Sequence, residues 1–138
     1  MKQAQKTLIV EDSDLQAEYL EEILNDLGIR NVTKAADGII GLECFKRALQ
    51  EKSIYSLVFI DIVMPGMDGQ ELLKHVRAME KDAGMAGIDR SIIIMTTALN
   101  TPNDMMEAII VGDCDDYIVK PVDQDILGAK LRKYKLLV

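Results

Sequence analysis

Five short runs of mainly apolar residues recur along the chain, at 7–10, 32–36, 57–60, 91–95 and 116–119. The runs at 7–10, 57–60 and 91–95 are rich in large apolar side chains and lack the polar alternation of a strand with one wet face. Runs of this length and composition are typical of strands buried on both faces of a sheet. The pattern therefore predicts five strands, of which 57–60 is the clearest.

Apolar residues at helical spacing fill the intervals between these runs. Ser13 or Asp14 can cap the first helix, which ends at Gly28, while Asp37 and Asp68 precede the second and third. The inward positions are predicted to be Leu15, Leu20, Ile23, Leu24 and Leu27 in the first helix, Ile39, Leu42, Phe45, Ala48 and Leu49 in the second, and Leu72, Leu73, Val76 and Met79 in the third, which runs from about 70 to 80.

Two further helices complete the alternation. Pro102 stands near the start of the fourth, and Asp123 caps the fifth. Residues 81–90 show no strong pattern, and we predict a rather long, mobile loop there. The fourth helix carries Met105, Ile109 and Ile110. The fifth ends in a run of cations that we interpret as a solvated face, at Lys130, Arg132, Lys133 and Lys135.

Five strands alternating with five helices predict a parallel sheet covered on both faces, which is a doubly wound α/β fold. The closest architecture is the flavodoxin-like (βα)5 sheet, with strand order 2-1-3-4-5. The 138 residues fit a single domain spanning 1–138, with no internal repeat or linker.

Composition narrows the class of protein. The chain is 49% apolar and 28% charged, a globular balance, and its net charge of −7 argues against unaided binding of nucleic acid and favours protein partners. No apolar run is long enough for a membrane span, and the polar start predicts no secretory signal, so we expect a cytoplasmic protein. Cys44 and Cys114 fit no metal spacing and are predicted to be buried free thiols.

The most informative stretch is 57–69, which reads LVFIDIVMPGMDG. Asp61 directly follows the apolar run, and two turn signals and a cap at Asp68 come next. The predicted layout is a buried strand, an exposed carboxylate, a tight loop and a helix. Ligands of open parallel sheets bind outside the carboxyl ends of the strands, so Asp61 is a candidate functional residue.

Polar residues stand at the ends of four of the predicted strands. Glu11 and Asp12 follow the first strand, Asp61 the third, Thr97 the fourth and Lys120 the fifth. These strands are neighbours in the order 2-1-3-4-5, so the side chains are expected to converge. Three carboxylates repel one another unless they hold a hard cation such as Mg²⁺, while a hydroxyl and an ammonium group suit a phosphoryl group. An aspartate in such a site can form an acyl phosphate.

These motifs resemble a receiver domain of a two-component response regulator, over nearly the whole chain. The resemblance implies that Asp61 accepts a phosphoryl group from a histidine kinase or a phosphotransfer protein. The domain would be a phosphorylation-switched module that catalyses only its own phosphorylation and dephosphorylation. The matching segments are LIVED at 8–12, FIDIVMPGMDG at 59–69, TTA at 96–98 and DDYIVKP at 115–121.

The resemblance also implies a metal site. Asp12 and Asp61 would bind Mg²⁺, or Mn²⁺, directly together with the backbone carbonyl of Val63, and Glu11 would help through water. Thr97 and Lys120 would hold the phosphoryl oxygens.

The switch implied by the resemblance involves Tyr117, which would turn inward as Thr97 moves toward the phosphate. Its output face would be the fourth helix, the last strand and the fifth helix, where a downstream protein target binds. A phosphorylation-dependent dimer is a further candidate assembly. The contact residues suggested there are Met105, Met106 and Ile110.

Two details of the sequence bear on this resemblance. The bond between Lys120 and Pro121 matches one that is cis in the family. Asp113 stands where the family usually has glycine, with Gly112 one place early, and Asp tolerates left-handed geometry better than most residues.

The phosphorylated state is expected to be fairly long-lived. Two positions flank the path of an attacking water in the family, two residues after the phosphorylated aspartate and two after the threonine. Here they are Val63 and Leu99, which are apolar and cannot orient a water.

The alternatives to a phosphorylated receiver are a phosphatase, a flavodoxin and a pseudo-receiver. A phosphatase of the haloacid dehalogenase type wants an acid at the position of Val63 and its nucleophile on the first strand. A flavodoxin needs a first loop that binds phosphate, whereas 11–14 is acidic. A pseudo-receiver would lack site residues, but all are present.

His75, the only histidine, is predicted to be a plain surface residue. With no output domain after Val138, the chain is expected to be a stand-alone receiver or a fragment.

Overall fold

Strands and helices alternate along the chain in the computed structural model, which describes residues 6–98, 103 and 112–137. The strands are β1 (Lys6–Val10), β2 (Asn31–Ala35), β3 (Leu57–Asp61), β4 (Ile92–Thr97) and β5 (Asp116–Val119). The helices are α1 (Asp14–Asp26), α2 (Gly38–Gln50), α3 (Gly69–Asp82) and a C-terminal helix (Gln124–Lys133). Within this part of the chain, no helix is both long and apolar enough to cross a bilayer. The fourth predicted helix, with Pro102, Met105, Met106, Ile109 and Ile110, lies outside the described residues, as does Leu99.

The five strands form one parallel sheet in the order β2-β1-β3-β4-β5, which confirms the predicted order. Val10 pairs with Ile60, and Asp61 pairs with Thr96. Because the strands are parallel and nearly level, their carboxyl ends reach the same edge of the sheet. The residues at the carboxyl ends of β1, β3, β4 and β5 are thereby placed close together.

Helices cover both faces of the sheet. Alternate residues of each strand point to opposite faces, and β3 is buried along its whole length, as its apolar run predicts. Each fully buried Leu, Ile or Phe side chain contributes about 1.5–3 kcal/mol of transfer free energy. One face packs Val10, Ile60 and Met95 against Phe45 of α2 and Leu72, Leu73 and Val76 of α3. The other packs Ile9, Phe59 and Ile94 against Leu20, Ile23 and Leu24 of α1 and Leu127 and Leu131 of the C-terminal helix.

Every long helix of the described chain begins at a side-chain cap. Ser13, Asp37, Asp68 and Asp123 each accept a hydrogen bond from a backbone N–H in the first turn, at 2.8–3.3 Å. Gly28 follows α1 with a positive φ of 98°, a conformation that glycine adopts without strain. The predicted helix starts are therefore confirmed, because capping is a local property of the sequence.

Two apolar residues predicted to face inward do not. Leu15 is 77% exposed and Ile39 is 57% exposed. Each is the second residue of its helix. At about 100° per residue, each lies well away from the buried stripe that Leu20 or Phe45 marks. The prediction was wrong because the spacing of both residues departs from the period of that stripe.

The prediction of a patternless loop at 81–90 is wrong over much of its length. Helix α3 continues to Asp82, and Gly87–Asp89 form a 3-10 turn. The segment is anchored by Glu80, which is 1% exposed and accepts hydrogen bonds from Arg77 Nη1 at 2.6 Å and from the Ser91 N–H at 2.8 Å. Arg77 Nη2 donates in turn to Asp115 Oδ2 at 2.7 Å. Ser91 and Asp115 are distant from Glu80 and Arg77 in sequence, so local periodicity could not indicate these contacts.

Asp113 adopts the left-handed conformation expected from its place in the chain, with φ of 63°. Its carbonyl accepts from Arg77 Nε at 2.8 Å, and its carboxylate accepts from Arg90 Nη1 at 2.6 Å. Two arginines thus hold a backbone conformation that is uncommon for a non-glycine residue.

The cations of the C-terminal helix are not all on a solvated face. Lys133 is exposed, but Lys130 Nζ donates to Asp116 Oδ1 at 2.8 Å and is partly buried. The prediction for the cysteines is also half right, since Cys114 is buried and Cys44 is half-buried. The exposure of Lys130 and of the two cysteines therefore depends on the elements that pack beside them.

We expect Gly69→Ala to destabilise the protein, because a Cβ at this position would lie 2.2 Å from the carbonyl oxygen of Asp61 and 2.7 Å from Ile62 Cα. The loop after β3 would have to move, at a cost of about 1–3 kcal/mol. Urea unfolding measures the change. Gly128→Ala is the matched control, since its nearest neighbour is the flexible Arg132 Nη1 at 3.2 Å. It should be neutral or stabilising by up to about 1 kcal/mol. Equal stability of the two variants would contradict the packing argument.

Candidate functional site

Three carboxylates meet at the carboxyl edge of the sheet. Oxygens of Glu11, Asp12 and Asp61 all lie within 4.8 Å of one another. Asp12 is exposed, whereas Glu11 and Asp61 are 6% and 5% exposed. The predicted convergence of these groups is confirmed, but the prediction of an exposed carboxylate at 61 is wrong. The loop after β3 turns back over the strand end, and the Val63 N–H donates to Asp61 Oδ1 at 3.3 Å.

Lys120 supplies the positive charge of this cluster. Its Nζ donates to Glu11 Oε1 at 2.6 Å and lies 3.3 Å from Asp61 Oδ2. It also donates to Gln16 Oε1. The Lys120 backbone N–H donates to the carbonyl of Thr97 at 2.8 Å, just beyond the last pair of the β4–β5 ladder. The Lys120–Pro121 bond is cis, as the sequence resemblance implies.

The acidity of Glu11 depends on its burial and on its charged neighbours. Burial raises the pKa of its carboxyl group above the ordinary value, and the nearby Asp61 charge acts in the same direction. Hydrogen bonds from Lys120 and from the Ser13 N–H, the latter at 3.1 Å, act in the opposite direction. Because the pKa stays raised, the single ammonium group only partly compensates for the burial of this carboxylate.

The donor set fits a hard divalent cation. All three side chains offer carboxylate oxygens, and the exposed Asp12 leaves the cluster open toward solvent. The resemblance to receiver domains implies the backbone carbonyl of Val63 as a further ligand. Val63 lies two residues after the end of β3 and is 57% exposed. Three carboxylates against one ammonium leave two negative charges when all are ionised, which equals the charge of one Mg²⁺ or Mn²⁺ in magnitude.

Thr97 and Tyr117 belong to the adjacent strands β4 and β5. Thr97 is the last residue of β4 and is fully buried, tied to Lys120 through its carbonyl. Tyr117 is also buried, and it pairs with Met95 on the sheet face that packs against α2 and α3. Both residues therefore stand on the β4–β5 side of the site, and the ring of Tyr117 points inward.

Gln16 is a site residue that the sequence did not reveal. It is an exposed residue in the first turn of α1, four places after Asp12, and it reaches Lys120 across the edge of the sheet. An exposed glutamine belongs to no hydrophobic pattern, and only its closeness to the acidic pair could have drawn attention to it. His75, by contrast, is exposed on α3 and lies 3.7 Å from Glu71, which confirms the prediction of a surface histidine.

Comparison with known proteins identifies the family. The family model described as "Response regulator receiver domain" matches residues 7–132. The chemotaxis protein CheY-3 of Vibrio cholerae is 34% identical over 128 residues, covering 93% of this chain and 89% of the relative.

Two solved structures share the fold. Chemotaxis protein CheY4 of Vibrio cholerae aligns with a TM-score of 0.77 and 26% identity, covering 96% of this chain and 99% of the other. The CheX-CheY-BeF3-Mg complex of Borrelia burgdorferi also gives a TM-score of 0.77 and 26% identity, covering 94% of this chain and 88% of the other. The match of the family model to nearly the whole chain excludes the phosphatase and flavodoxin alternatives. The chain belongs to the response regulator receiver domains, the phosphorylation-switched signalling modules of two-component systems.

Proposed function

We propose that Asp61 is the residue that accepts the phosphoryl group. The observation that carries this proposal is the position of its carboxylate, which is buried at the end of β3 beside Glu11 and Asp12 and 3.3 Å from the ammonium group of Lys120. A carboxylate surrounded by a cation and by further carboxylates that can hold a metal is placed to act as a nucleophile toward phosphorus.

The transfer itself needs positioning and charge neutralisation more than covalent help from the protein. An oxygen of Asp61 forms a bond to phosphorus as the bond from phosphorus to the donor histidine nitrogen breaks, and that nitrogen keeps the electron pair. The ammonium group of Lys120 and the hydroxyl of Thr97 bind the phosphoryl oxygens. The domain catalyses only its own phosphorylation and dephosphorylation.

The metal site proposed here uses residues of the same edge. Asp12, Asp61 and the backbone carbonyl of Val63 hold Mg²⁺, or Mn²⁺, directly, and Glu11 contributes through water. When bound, the ion supplies positive charge against the phosphoryl oxygens. A solved CheX-CheY-BeF3-Mg complex, whose chain is 26% identical to this one, supports the binding of magnesium by this domain.

The output of the switch is proposed to pass through Thr97 and Tyr117 to β5, the C-terminal helix and the helix predicted before β5. Thr97 shares a backbone hydrogen bond with Lys120, and Tyr117 is buried two residues along the edge strand β5 from Val119. A shift of Thr97 toward a phosphoryl group would therefore be felt directly in the neighbouring strand.

We propose a histidine kinase or phosphotransfer protein as the donor and a downstream protein as the target. The net charge of −7 disfavours direct binding of nucleic acid, and the solved CheX–CheY complex shows that a related receiver binds a protein. Residues 1–138 would act as one receiver domain in the cytoplasm, where the kinase obtains ATP. A phosphorylation-dependent dimer is a further candidate assembly.

Incubation with acetyl phosphate and Mg²⁺ should label Asp61, because it is the nucleophile. Mass spectrometry should show an acid-stable, base-labile adduct on the wild-type chain. Asp61→Asn should reduce labelling at least about a hundredfold, since the amide is not a nucleophile. Asp26→Asn, an exposed change at the end of α1, is the matched control and should be labelled normally. Equal labelling of Asp61→Asn would overturn the assignment, and an unlabelled wild type would favour a pseudo-receiver.

Beryllofluoride should bind only when Mg²⁺ is present, because the acidic cluster repels the anionic mimic unless a cation neutralises it. Asp12→Ala should abolish this binding by removing a proposed ligand. Asp14→Ala removes an exposed acid outside the cluster and should bind as the wild type does. Fluorescence or NMR titration provides the measurement, and undiminished binding without metal would contradict the proposed site.

Val63→Asn combined with Leu99→Glu should speed loss of the phosphoryl group by about ten- to a hundredfold, which corresponds to about 1–3 kcal/mol of barrier. The polar pair can orient an attacking water, whereas the apolar pair shields phosphorus. Ile39→Asn changes a side chain with the same 57% exposure as Val63 and should leave the rate unchanged. Radiolabel decay of purified phosphoprotein gives the rate. The Mg²⁺ affinity of the double variant should not change. An unchanged or slower rate of phosphoryl loss in the folded double variant would refute the shielding of phosphorus.

A further inference from the structure

Three side-chain oxygens lie around the ammonium group of Lys120. Glu11 Oε1 accepts a hydrogen bond at 2.6 Å, Gln16 Oε1 accepts another, and Asp61 Oδ2 forms an ion pair at 3.3 Å. An ammonium group is a rotatable point charge on a flexible stem, so its direction is set by the acceptors around it. With Glu11 and Gln16 accepting hydrogen bonds from this group, a further N–H is left for Asp61, whose Oδ2 lies 3.3 Å from the nitrogen.

Both of the other acceptors come from the same short segment, at the junction of β1 and α1. Glu11 is held by its own backbone, since its N–H donates to Ala35 O at 3.0 Å and its Oε2 accepts from the Ser13 N–H. Gln16 is the third residue of α1, and its backbone N–H is capped by Ser13 Oγ at 3.3 Å. These hydrogen bonds position the backbone from which the side chains of Glu11 and Gln16 extend, although the side chain of Gln16 is exposed.

Gln16 differs from the other two acceptors in charge. Glu11 and Asp61 are carboxylates of the cluster that fits a divalent cation, so a bound cation would compete with Lys120 for their oxygens. Among the described partners of Lys120 Nζ, Gln16 alone is neutral. A neutral amide oxygen is a weak competitor for that cation beside three carboxylates, so its hydrogen bond to Lys120 can persist when a metal binds.

We propose that Gln16 is a positioning residue for phosphoryl transfer, whose amide oxygen holds the ammonium group of Lys120 so that one N–H faces Asp61 and then the phosphoryl oxygen bound to it. The inference rests on the proposed role of Asp61. It assigns to α1 a part in the chemistry of the site, through a side chain that touches neither phosphorus nor metal.

The test is Gln16→Met, which keeps the length of the side chain and removes the acceptor. With acetyl phosphate, Asp61 forms its bond to phosphorus as acetate leaves with the electron pair of the broken P–O bond. The initial rate of this labelling at saturating Mg²⁺ should fall about 5- to 20-fold, the range expected for one charge-assisted hydrogen bond at a partly exposed site. Mg²⁺ affinity should change by less than about twofold, because no metal ligand is altered.

Gln50→Met is the matched control. It makes the same chemical change at the last residue of α2, where the side chain is exposed and the helix ends at the opposite edge of the sheet. Its labelling rate should equal that of the wild type. Gln16→Glu restores an acceptor oxygen and should label within about threefold of the wild type, which separates loss of the acceptor from loss of packing.

Two measurements separate positioning from a general structural effect. In metal-free protein, the Lys120 ammonium signal in ¹⁵N NMR should exchange with water several-fold faster in Gln16→Met than in the wild type. In a Lys120→Met background, Gln16→Met should have no further effect on the residual labelling rate, because the residue it positions is gone.

The outcomes distinguish this inference from the assignment of Asp61. If the wild type is not labelled at Asp61, both fall together. If the wild type is labelled and Gln16→Met labels equally fast or faster, the positioning role alone is refuted. An equal loss of rate in the Lys120→Met background would also overturn it, since Gln16 would then act by another route.

Discussion

Two buried carboxylates, Glu11 and Asp61, share one ammonium group, and the arrangement of the site depends on that pairing. Burying a carboxylate is costly without a counter-charge, and two side by side also repel each other. Lys120 approaches both, at 2.6 and 3.3 Å. Lys120 directly follows β5, Glu11 directly follows β1 and Asp61 is the last residue of β3, so the cluster exists only when the sheet is assembled in its order. The fold brings the charges together, and Lys120 lets them remain buried.

Lys120 only partly offsets the burial of these carboxylates. The pKa of Glu11 remains raised, and the cluster keeps an excess of negative charge when its carboxylates are ionised. A divalent cation and a phosphoryl group would together change the partners available to Lys120. The Lys120 backbone N–H donates to the carbonyl of Thr97, and Thr97 in turn pairs with Val119 of the edge strand β5.

A second charged cluster holds the opposite end of the structure. Arg77 joins Glu80 at the end of α3 to Asp115 before β5, and Arg90 joins Asp113. Removing one partner from a buried pair leaves an uncompensated charge, so such a network holds its elements in place. It accounts for the ordered course of 81–90 and for the left-handed Asp113. The network around Arg77 thus lies at one end of β5, and the carboxylate cluster with Lys120 lies at the other.

Most of the fold could be predicted because its signals are local. Strand β3, the caps at Ser13, Asp37, Asp68 and Asp123, and the family motifs around Asp61 and Lys120 each depend on a few consecutive residues. The alternation of elements predicted a parallel sheet covered on both faces, and the closest known architecture supplied the strand order. Periodicity failed at Leu15 and Ile39, where apolar residues lie off the buried stripe.

Contacts between distant segments were decided by the tertiary structure alone. The burial of Asp61, the network around Arg77, the pairing of Lys130 with Asp116 and the contact of Gln16 with Lys120 join residues that no local pattern relates. Sequence periodicity records which face of an element is apolar, because burial recurs with the turn of a helix or the pleat of a strand. The partner of a charged side chain is set by where the folded chain places an opposite charge, and no local period records that.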